Sequence, residues 1–247
     1  MSRRPAARGN RRGALGGGFF PPTAIAGCVA FWDASRGLVL AVPNVTTAAD
    51  QAPGGVADTL TGQAGLEPQF IANDGGWPCF DFQNSRVFTC PDSTDLSATA
   101  GFTVAAWVQR NSTTTDDVIW SQYDATKQRI YWRIEATTNQ LYVEINNIGT
   151  ATAAYGAGLG WRHLACVFDG SLAAASRVQL YIDGVAVATT CGSVPAALAD
   201  TTSVLFVGAE SAAGSRAFDG KMDSVCAFSR ALTLAEVNAL KGYHPHA

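Results

Sequence analysis

Two alternating stretches near the middle of the chain place tyrosines beside charged residues. In residues 129–135, Ile130, Trp132 and Ile134 share one side of a predicted strand, and in residues 141–145 the odd positions are apolar. If these strands pair, the opposite parity gathers a polar and aromatic patch of Tyr131, Arg133, Tyr142 and Glu144. The patch offers the aromatic surface and hydrogen-bonding groups that a sugar requires. The simpler interpretation is an ordinary exposed sheet face with cross-strand pairs, and both stay open.

The carboxylates and histidines give little support for catalysis. A glycoside hydrolase needs two carboxyl groups about 5–9.5 Å apart. The five glutamates are instead scattered along the sequence, at Glu67, Glu135, Glu144, Glu210 and Glu236. The sequence contains no G-x-S-x-G elbow and no glycine-rich phosphate loop followed by lysine. His163 lies among apolar residues of a predicted strand, which is typical of a structural histidine. We therefore predict that the protein is not an enzyme.

The cysteines form no metal-binding pattern. None of the six belongs to a C-x-x-C pair, and the chain has only three histidines, so no zinc site is predicted. In a chain of this size without a signal peptide, most cysteines are buried thiols. Cys79 and Cys90 flank a predicted hairpin and would be the first pair to test for a disulfide.

The N-terminal segment differs in charge from the rest. Five arginines lie in the first twelve residues, and without them 12 basic residues face 20 acidic ones, a net charge of −8. We predict a basic arm over residues 1–24 that acts as an assembly anchor, and a single domain over residues 25–247. The predicted anchor residues are Arg3, Arg4, Arg8, Arg11, Arg12, Phe19 and Phe20. The phenylalanines are costly to expose and should occupy a pocket.

The composition excludes several classes of protein. No run of about 18 apolar residues exists, so no transmembrane helix is expected. The arm is too interrupted for the apolar core of a signal peptide, so secretion by that route is not expected. A pI near 5.5 disfavours nucleic-acid binding by the chain as a whole.

Short strands separated by turn residues predict a β-sandwich. Residues 161–168, 177–182 and 185–188 read as three strands, the last two joined by Asp183-Gly184, which favours a two-residue type I′ hairpin. Residues 41–78 are predicted to be irregular, with one short strand near residues 69–72. Thr233 and Glu236 fit a capping box, which predicts one short helix ending near Gly242.

Several motifs in order resemble the laminin G-like branch of the concanavalin A-like lectin/glucanase superfamily. The matching segments are FTVAAWV at 102–108, WRHLA at 161–165, LYIDG at 180–184, FDGKMDSV at 218–225 and SRALTLAE at 229–236. FWD at 31–33 and FDF at 80–82 fit looser elements. The resemblance implies an all-β fold, a concanavalin A-like jelly-roll sandwich of two antiparallel sheets, here with one short C-terminal helix and an extended N-terminal arm.

The resemblance leaves the function open, because this fold hosts lectins, adhesion modules, enzymes and structural domains. The retaining glucanases of the superfamily carry an E-x-D-x-E strand, and Glu144-Ile145-Asn146 has an amide in place of the second acid. Calcium is common at the rim of these sandwiches, and Asp116, Asp117 and Asp169 are candidates by residue type. Turn-capping is the simpler role for them, and no cofactor is predicted.

A basic, glycine-rich arm ahead of a lectin-like sandwich resembles the layout of some phage virion proteins. We therefore expect a non-catalytic virion protein, either a capsid decoration or a fibre or tail component. Its expected partners are other virion proteins or copies of itself through the arm, and a host-surface glycan, but no membrane. The alternatives are a soluble, cytoplasmic glycan-binding lectin and, with less support, a glycoside hydrolase.

Overall fold

The computed structural model describes residues 21–53, 58–123, 128–156 and 158–243. These residues contain eighteen strands, one α-helix and three short 3-10 turns. The strands are β1 Cys28–Trp32, β2 Leu38–Ala41, β3 Asn44–Ala48, β4 Leu60–Gly62, β5 Gln69–Asp74, β6 Trp77–Asp81, β7 Phe88–Cys90, β8 Gly101–Arg110, β9 Asp117–Tyr123, β10 Gln128–Glu135, β11 Gln140–Ile145, β12 Gly149–Ala154, β13 Arg162–Asp169, β14 Val178–Ile182, β15 Val185–Val187, β16 Thr190–Gly192, β17 Leu205–Val207 and β18 Gly220–Phe228. The helix α1 is Leu234–Tyr243, and the 3-10 turns are Pro22–Ala24, Asp95–Ser97 and Ala174–Ser176.

The strands form two antiparallel layers, as predicted. The first sheet runs β15–β14–β13–β8–β18, and β18 also pairs with β1 and with the β5–β6 hairpin. The second sheet runs β16–β12–β11–β10–β9–β17–β7–β4–β3–β2. A single pair, Asn44 and Gln69, joins the two sheets between β3 and β5. All these pairings are antiparallel, which confirms the sandwich.

The main core lies between the two sheets. The indoles of Trp32 and Trp120 are fully buried there, with ring centroids 6.2 Å apart, and Trp132 is also fully buried. Phe80 and Phe88 meet edge to face at 5.2 Å. Each large side chain buried in this way contributes about 1.5–3 kcal/mol, so this layer supplies most of the driving force for folding.

A second, smaller core lies on the outer face of the first sheet, beneath α1. Val237 and Leu240 pack there with Phe31 and Phe228. The helix begins at the predicted capping box, in which the backbone N–H of Thr233 donates to Glu236 Oε2 at 2.9 Å. This cover explains why β8 and β13 are apolar at both parities, since neither of their faces meets solvent over most of their length.

The hairpin between β14 and β15 has the predicted geometry. Asp183 and Gly184 have φ values of 52° and 75°, which are the two positive angles that a type I′ turn requires. The Asp183 carboxylate also accepts the backbone N–H of His163 at 2.9 Å. The turn is thereby fixed to the neighbouring strand.

The prediction for residues 41–78 was wrong in part. The structure places β3 and β4 there in addition to β5, and β2 begins just before it at Leu38. Strands of three to five residues are too short to show a period of two. In β3 the pattern is further obscured because Val45 and Ala48, three residues apart, are both buried.

The predicted hairpin between Cys79 and Cys90 is wrong. β6 pairs with β5 and β18, whereas β7 pairs with β4 and β17, so the two strands belong to different sheets. Cys79 and Cys90 are both buried free thiols, not a disulfide. Burial raises the pKa of each to about 12, which keeps the thiols protonated.

The arm lies largely outside the described residues. This holds for all the predicted anchor residues, Arg3, Arg4, Arg8, Arg11, Arg12, Phe19 and Phe20. Pro22 is the first buried side chain of the described chain, and its 3-10 turn contacts β1. No helix among the described residues is long and apolar enough to cross a membrane.

Candidate functional site

The predicted patch on β10 and β11 is assembled by the register of these strands. Tyr131 lies opposite Glu144, and Arg133 lies opposite Tyr142. The Arg133 guanidinium stacks over the ring of Tyr142 at 4.3 Å and approaches that of Tyr131 at 5.3 Å. Sequence parity therefore placed the four side chains together correctly.

The exposure of the patch differs from the prediction, because Tyr131 is only 2% exposed. The loop between β17 and β18 reaches this face, where the Ser121 hydroxyl donates to the carbonyl of Glu210 at 3.2 Å. Arg216 of the same loop lies 3.5 Å from the Tyr131 hydroxyl. Burial raises the pKa of Tyr131. Tyr131 therefore packs beneath a loop and offers little ring surface to a ligand.

The charged groups around the patch are already paired with one another. Arg133 lies 2.7 Å from Glu135 and 3.5 Å from Asp116. Arg216 lies 2.8 Å from Glu210 and 3.7 Å from Asp116. Hydrogen bonds from Thr138 and Arg133 lower the pKa of Glu135. The network borders an open hollow of about 480 Å³, and two charged residues in its wall, Asp116 and Arg216, are already held in internal ion pairs.

A second aromatic surface lies on the outer face of the first sheet. Met222 and Val108 belong to the core between the sheets. Their neighbours Lys221 and Gln109 are opposite each other in the β18–β8 register and point outward. Trp161 immediately precedes β13, the next strand of the same sheet. This face is therefore aromatic and polar where α1 does not cover it.

Asp74 joins the side chains of this surface. The indole N–H of Trp161 donates to Asp74 Oδ2 at 2.8 Å, and Lys221 Nζ lies 2.6 Å from Asp74 Oδ1. Trp77 lies opposite Asp74 in the β5–β6 hairpin and is 40% exposed. We refer to Asp74, Trp77, Trp161 and Lys221 as the tryptophan site.

The tryptophan site combines a fixed geometry with accessible surface. Both carboxylate oxygens of Asp74 accept a hydrogen bond, and these bonds hold the Trp161 indole and the Lys221 ammonium in place. The face of the indole and the other N–H groups of the ammonium take no part in these two bonds. The Asp74 and Lys221 side chains are each 23% exposed. An indole face beside a positioned ammonium and carboxylate suits a ligand that has one apolar face and several hydroxyls.

Sequence analysis did not predict this site, because it sought a sugar-binding surface only on the strands that contain Tyr131 and Tyr142. Trp32, Trp107 and Trp120 are core residues and are at most 2% exposed. Trp77 follows Gly75-Gly76 and Trp161 follows Gly160. An aromatic residue directly after a glycine turn is at the end of a strand, where the core covers less of it, and this was the available signal.

The residues considered for catalysis or metal binding are engaged elsewhere in the fold. His163 is 2% exposed and packs against the Trp107 ring at 5.6 Å. Asp117 pairs with Arg110, Asp116 with Arg133, and Asp169 accepts hydrogen bonds from Ser171 within a turn. No group of three or more His, Cys, Asp or Glu side chains in the described part of the chain is arranged to hold a metal ion.

Solved structures share this fold at low sequence identity. The binding domain of Paraclostridial Mosquitocidal Protein 1 matches with a TM-score of 0.60 and 14% identity, over 87% of this chain and 52% of that one. Domain 4 of AbnA, a GH43 extracellular arabinanase from Geobacillus stearothermophilus solved with arabinotriose, matches with a TM-score of 0.57 and 15% identity, over 86% and 97%. Trypanosoma rangeli sialidase in complex with sialic acid matches with a TM-score of 0.59 and 14% identity, over 88% and 33%.

The chain therefore spans about half of the toxin chain and a third of the sialidase chain. At these identities the matches show the fold alone, a lectin-like sandwich. No curated protein sequence matches the chain. A family model for the concanavalin A-like lectin/glucanases superfamily matches residues 82–238, which is more than half of the sequence. The chain belongs to the laminin G-like family of the concanavalin A-like lectin/glucanases superfamily.

Proposed function

We propose that this protein is a non-catalytic carbohydrate-binding module that uses the tryptophan site. The observation that carries the proposal is the pair of tryptophans around Asp74, one of them 40% exposed and the other hydrogen-bonded to the carboxylate. A pyranose or furanose ring could stack on the indole of Trp77. Its hydroxyls would then reach Lys221 and Asp74.

The charge arrangement favours binding over hydrolysis. A general acid must carry a proton that it can release, and a nucleophile must be free to attack. Asp74 is instead held between Lys221 and Trp161. Glu144, the glutamate closest to the glucanase pattern, lies beside Tyr142 on the other sheet. The arabinanase domain solved with arabinotriose supports a sugar ligand for this fold by analogy only.

We further propose that the module is displayed on a larger assembly, as a capsid decoration or a fibre component of a virion. The support is the contrast between the basic arm and a body with a net charge of −8. Residues 1–20 lie outside the described residues, so this part of the proposal rests on the sequence. In that setting the arm would contact other virion proteins or further copies of the chain, and the sandwich would contact a host-surface glycan.

A glycan array probed with the full chain tests the proposal. Trp77→Ala should weaken binding to any glycan that the wild type retains by about tenfold, because the stacking surface is lost. Tyr142→Ala is the matched control, since it removes a partly exposed aromatic ring from the other sheet. If Tyr142→Ala abolishes binding and Trp77→Ala does not, the site lies on the patch instead.

Hydrolysis is measured separately, by release of reducing ends from arabinan, β-glucan and sialosides. We expect none from the wild-type chain. Activity that disappears in Asp74→Asn or Glu144→Gln would overturn the non-catalytic assignment.

A further inference from the structure

Three aspartates, Asp58, Asp92 and Asp200, line two hollows in the surface of the protein. The hollows have volumes of about 450 and 390 Å³ and share Asp92 in their walls. Asp58 lines the second hollow and Asp200 the first. Asp50 and Asp95 stand close enough to act electrostatically on Asp58. We call Asp58, Asp92 and Asp200, together with the two hollows, the aspartate cleft.

The cleft contains buried polar atoms that no described residue satisfies. Asp58 is 2% exposed, and its Oδ2 is buried without a hydrogen-bond partner among the described residues. The same holds for Oδ1 of Asp92 and for the hydroxyl of Thr201, which is 3% exposed. Buried carboxylate oxygens are costly unless a donor meets them. The geometry therefore calls for a donor from outside the described chain.

The charges in the cleft call for a cation as well. Burial, together with the nearby charges of Asp50, Asp95 and Asp92, raises the pKa of Asp58 to about 6, although a hydrogen bond from Ser93 opposes the rise. Burial and the charge of Asp200 raise the pKa of Asp92, and Arg129 is the nearby cation that opposes this rise. Its guanidinium is already committed to Gln122 Oε1, to the carbonyl of Ala98 and to the face of Phe102. One committed arginine does not balance the three carboxylates that line the cleft.

A guanidinium fits the cleft better than a metal ion. The carboxylates are spread over two hollows, and no three acidic, histidine or cysteine side chains of the described chain converge on one point. A planar guanidinium has five N–H donors and can bridge separated carboxylate and hydroxyl oxygens. Asp58, Asp92 and Thr201 present such acceptor oxygens at different depths in the two hollows.

The chain carries a segment of the required chemistry that begins near the cleft. The described chain starts at the 3-10 turn Pro22–Ala24, which contacts β1. β1 in turn contacts the turn Asp95–Ser97, and the indole N–H of Trp32 in β1 donates to the carbonyl of Asp58 at 2.7 Å. From Arg12 to Pro21 an extended chain spans up to about 30 Å. The arginines are therefore tethered within reach of the carboxylates.

We propose that the aspartate cleft binds arginine side chains of the chain's own N-terminal segment, Arg3 to Arg12. A tethered partner acts at a high effective concentration, so docking in the same chain precedes docking between copies. In this state the arginines of the anchor are covered until a partner surface competes for them. The inference is independent of the tryptophan site and can fail without it.

Trypsin cleavage of the full chain tests this directly, because trypsin must engage the arginine side chains that the cleft would hold. Cleavage rates after each arginine are read by mass spectrometry at low ionic strength. Asp92→Asn combined with Asp200→Asn should accelerate cleavage after one or more of Arg3 to Arg12 by about tenfold, because charged hydrogen bonds are lost. Both residues are at least partly exposed, so the fold should survive, and thermal melting verifies it. Glu144→Gln, which removes one charge from the other sheet, should leave the rates unchanged.

Three results would overturn the proposal. Equal rates in wild type and double variant would show that the cleft does not hold the arm. Protection that grows with protein concentration would assign the occupant to a second copy. The third result concerns calcium. If about 1 mM Ca²⁺ raises the melting temperature of wild type but not of Asp92→Asn, and the double variant is cleaved at the wild-type rate, the cleft is a cation site.

Discussion

Arg110 and Asp117 form an ion pair in which both side chains are completely buried. The pair connects the end of β8 to the start of β9, and each partner makes a further hydrogen bond to the backbone. Arg110 also donates to the carbonyl of Thr115 at 3.1 Å, and Asp117 accepts the backbone N–H of Asp219 at 2.8 Å. The pair thereby fixes the end of the β17–β18 loop, which also covers Tyr131, to one strand of each sheet.

Asp117→Asn should destabilise the protein by about 3–5 kcal/mol, because it leaves the Arg110 charge buried without a counter-ion. Chemical denaturation at pH 7 measures the loss. The double variant Arg110→Met/Asp117→Leu removes both charges and should recover much of the stability. A double variant as unstable as Asp117→Asn would show that the hydrogen bonds to Thr115 and Asp219 matter more than the charges.

A second stability prediction concerns the turn at Gly184. A Cβ atom on Gly184 would lie 2.1 Å from Asn238 Oδ1 in α1, and φ is +75°. Gly184→Ala should therefore cost about 1–2 kcal/mol, partly as backbone strain and partly as displacement of Asn238. Adding Asn238→Ala should restore only the second part. Full restoration would mean that the left-handed backbone carries no cost here.

Local patterns were sufficient for much of the fold. The Asp183-Gly184 dipeptide determines its hairpin through backbone angles, and the Thr233 and Glu236 pair determines the helix start through hydrogen bonds between near neighbours. The β10–β11 register follows from the parity of Ile130, Trp132 and Ile134, because a slip of one residue would expose all three. In these cases the deciding interactions lie within a few residues of sequence.

The remaining features depend on contacts between distant segments. Tyr131 is on the predicted face, but a loop about 80 residues later in the chain covers it. Arg129 has the same parity as Tyr131 but is fully buried over the ring of Phe102, and the β9–β10 register shifts between Gln128 and Tyr131. β12 was missed because Gly, Thr and Ala show little hydrophobic alternation. No local pattern carries this information.

Acid should weaken the C-terminal helix through Glu236. Its hydrogen bond with Arg230, together with those from Thr233, lowers its pKa to about 2. A lowered folded-state pKa gives stability that is present above the unfolded-state value of 4.5 and is lost as pH falls toward 2. Because the side chain is partly exposed, the loss should be about 1 kcal/mol. Glu236→Gln keeps the cap acceptor and should show a flatter stability profile between pH 5 and about 2 in urea unfolding. A parallel decline in both proteins would assign the acid sensitivity to other carboxylates.

Variants of Tyr131 and Tyr142 should distinguish a residue that stabilises the second sheet from a residue that binds a glycan. Tyr131 is buried beneath the loop that contains Arg216, so Tyr131→Ala should cost about 3–5 kcal/mol through the cavity it leaves. Tyr131→Phe keeps the ring and removes only the hydroxyl near Arg216, so it should cost about 1 kcal/mol. Tyr142 is half-buried and stacks on Arg133, and Tyr142→Ala should cost no more than about 1 kcal/mol. Thermal and urea unfolding measure all three, with glycan binding of each variant assayed below its melting temperature. If Tyr131→Phe retains stability but loses glycan binding, the hydroxyl contacts the ligand, and the loop between β17 and β18 must then open to admit it.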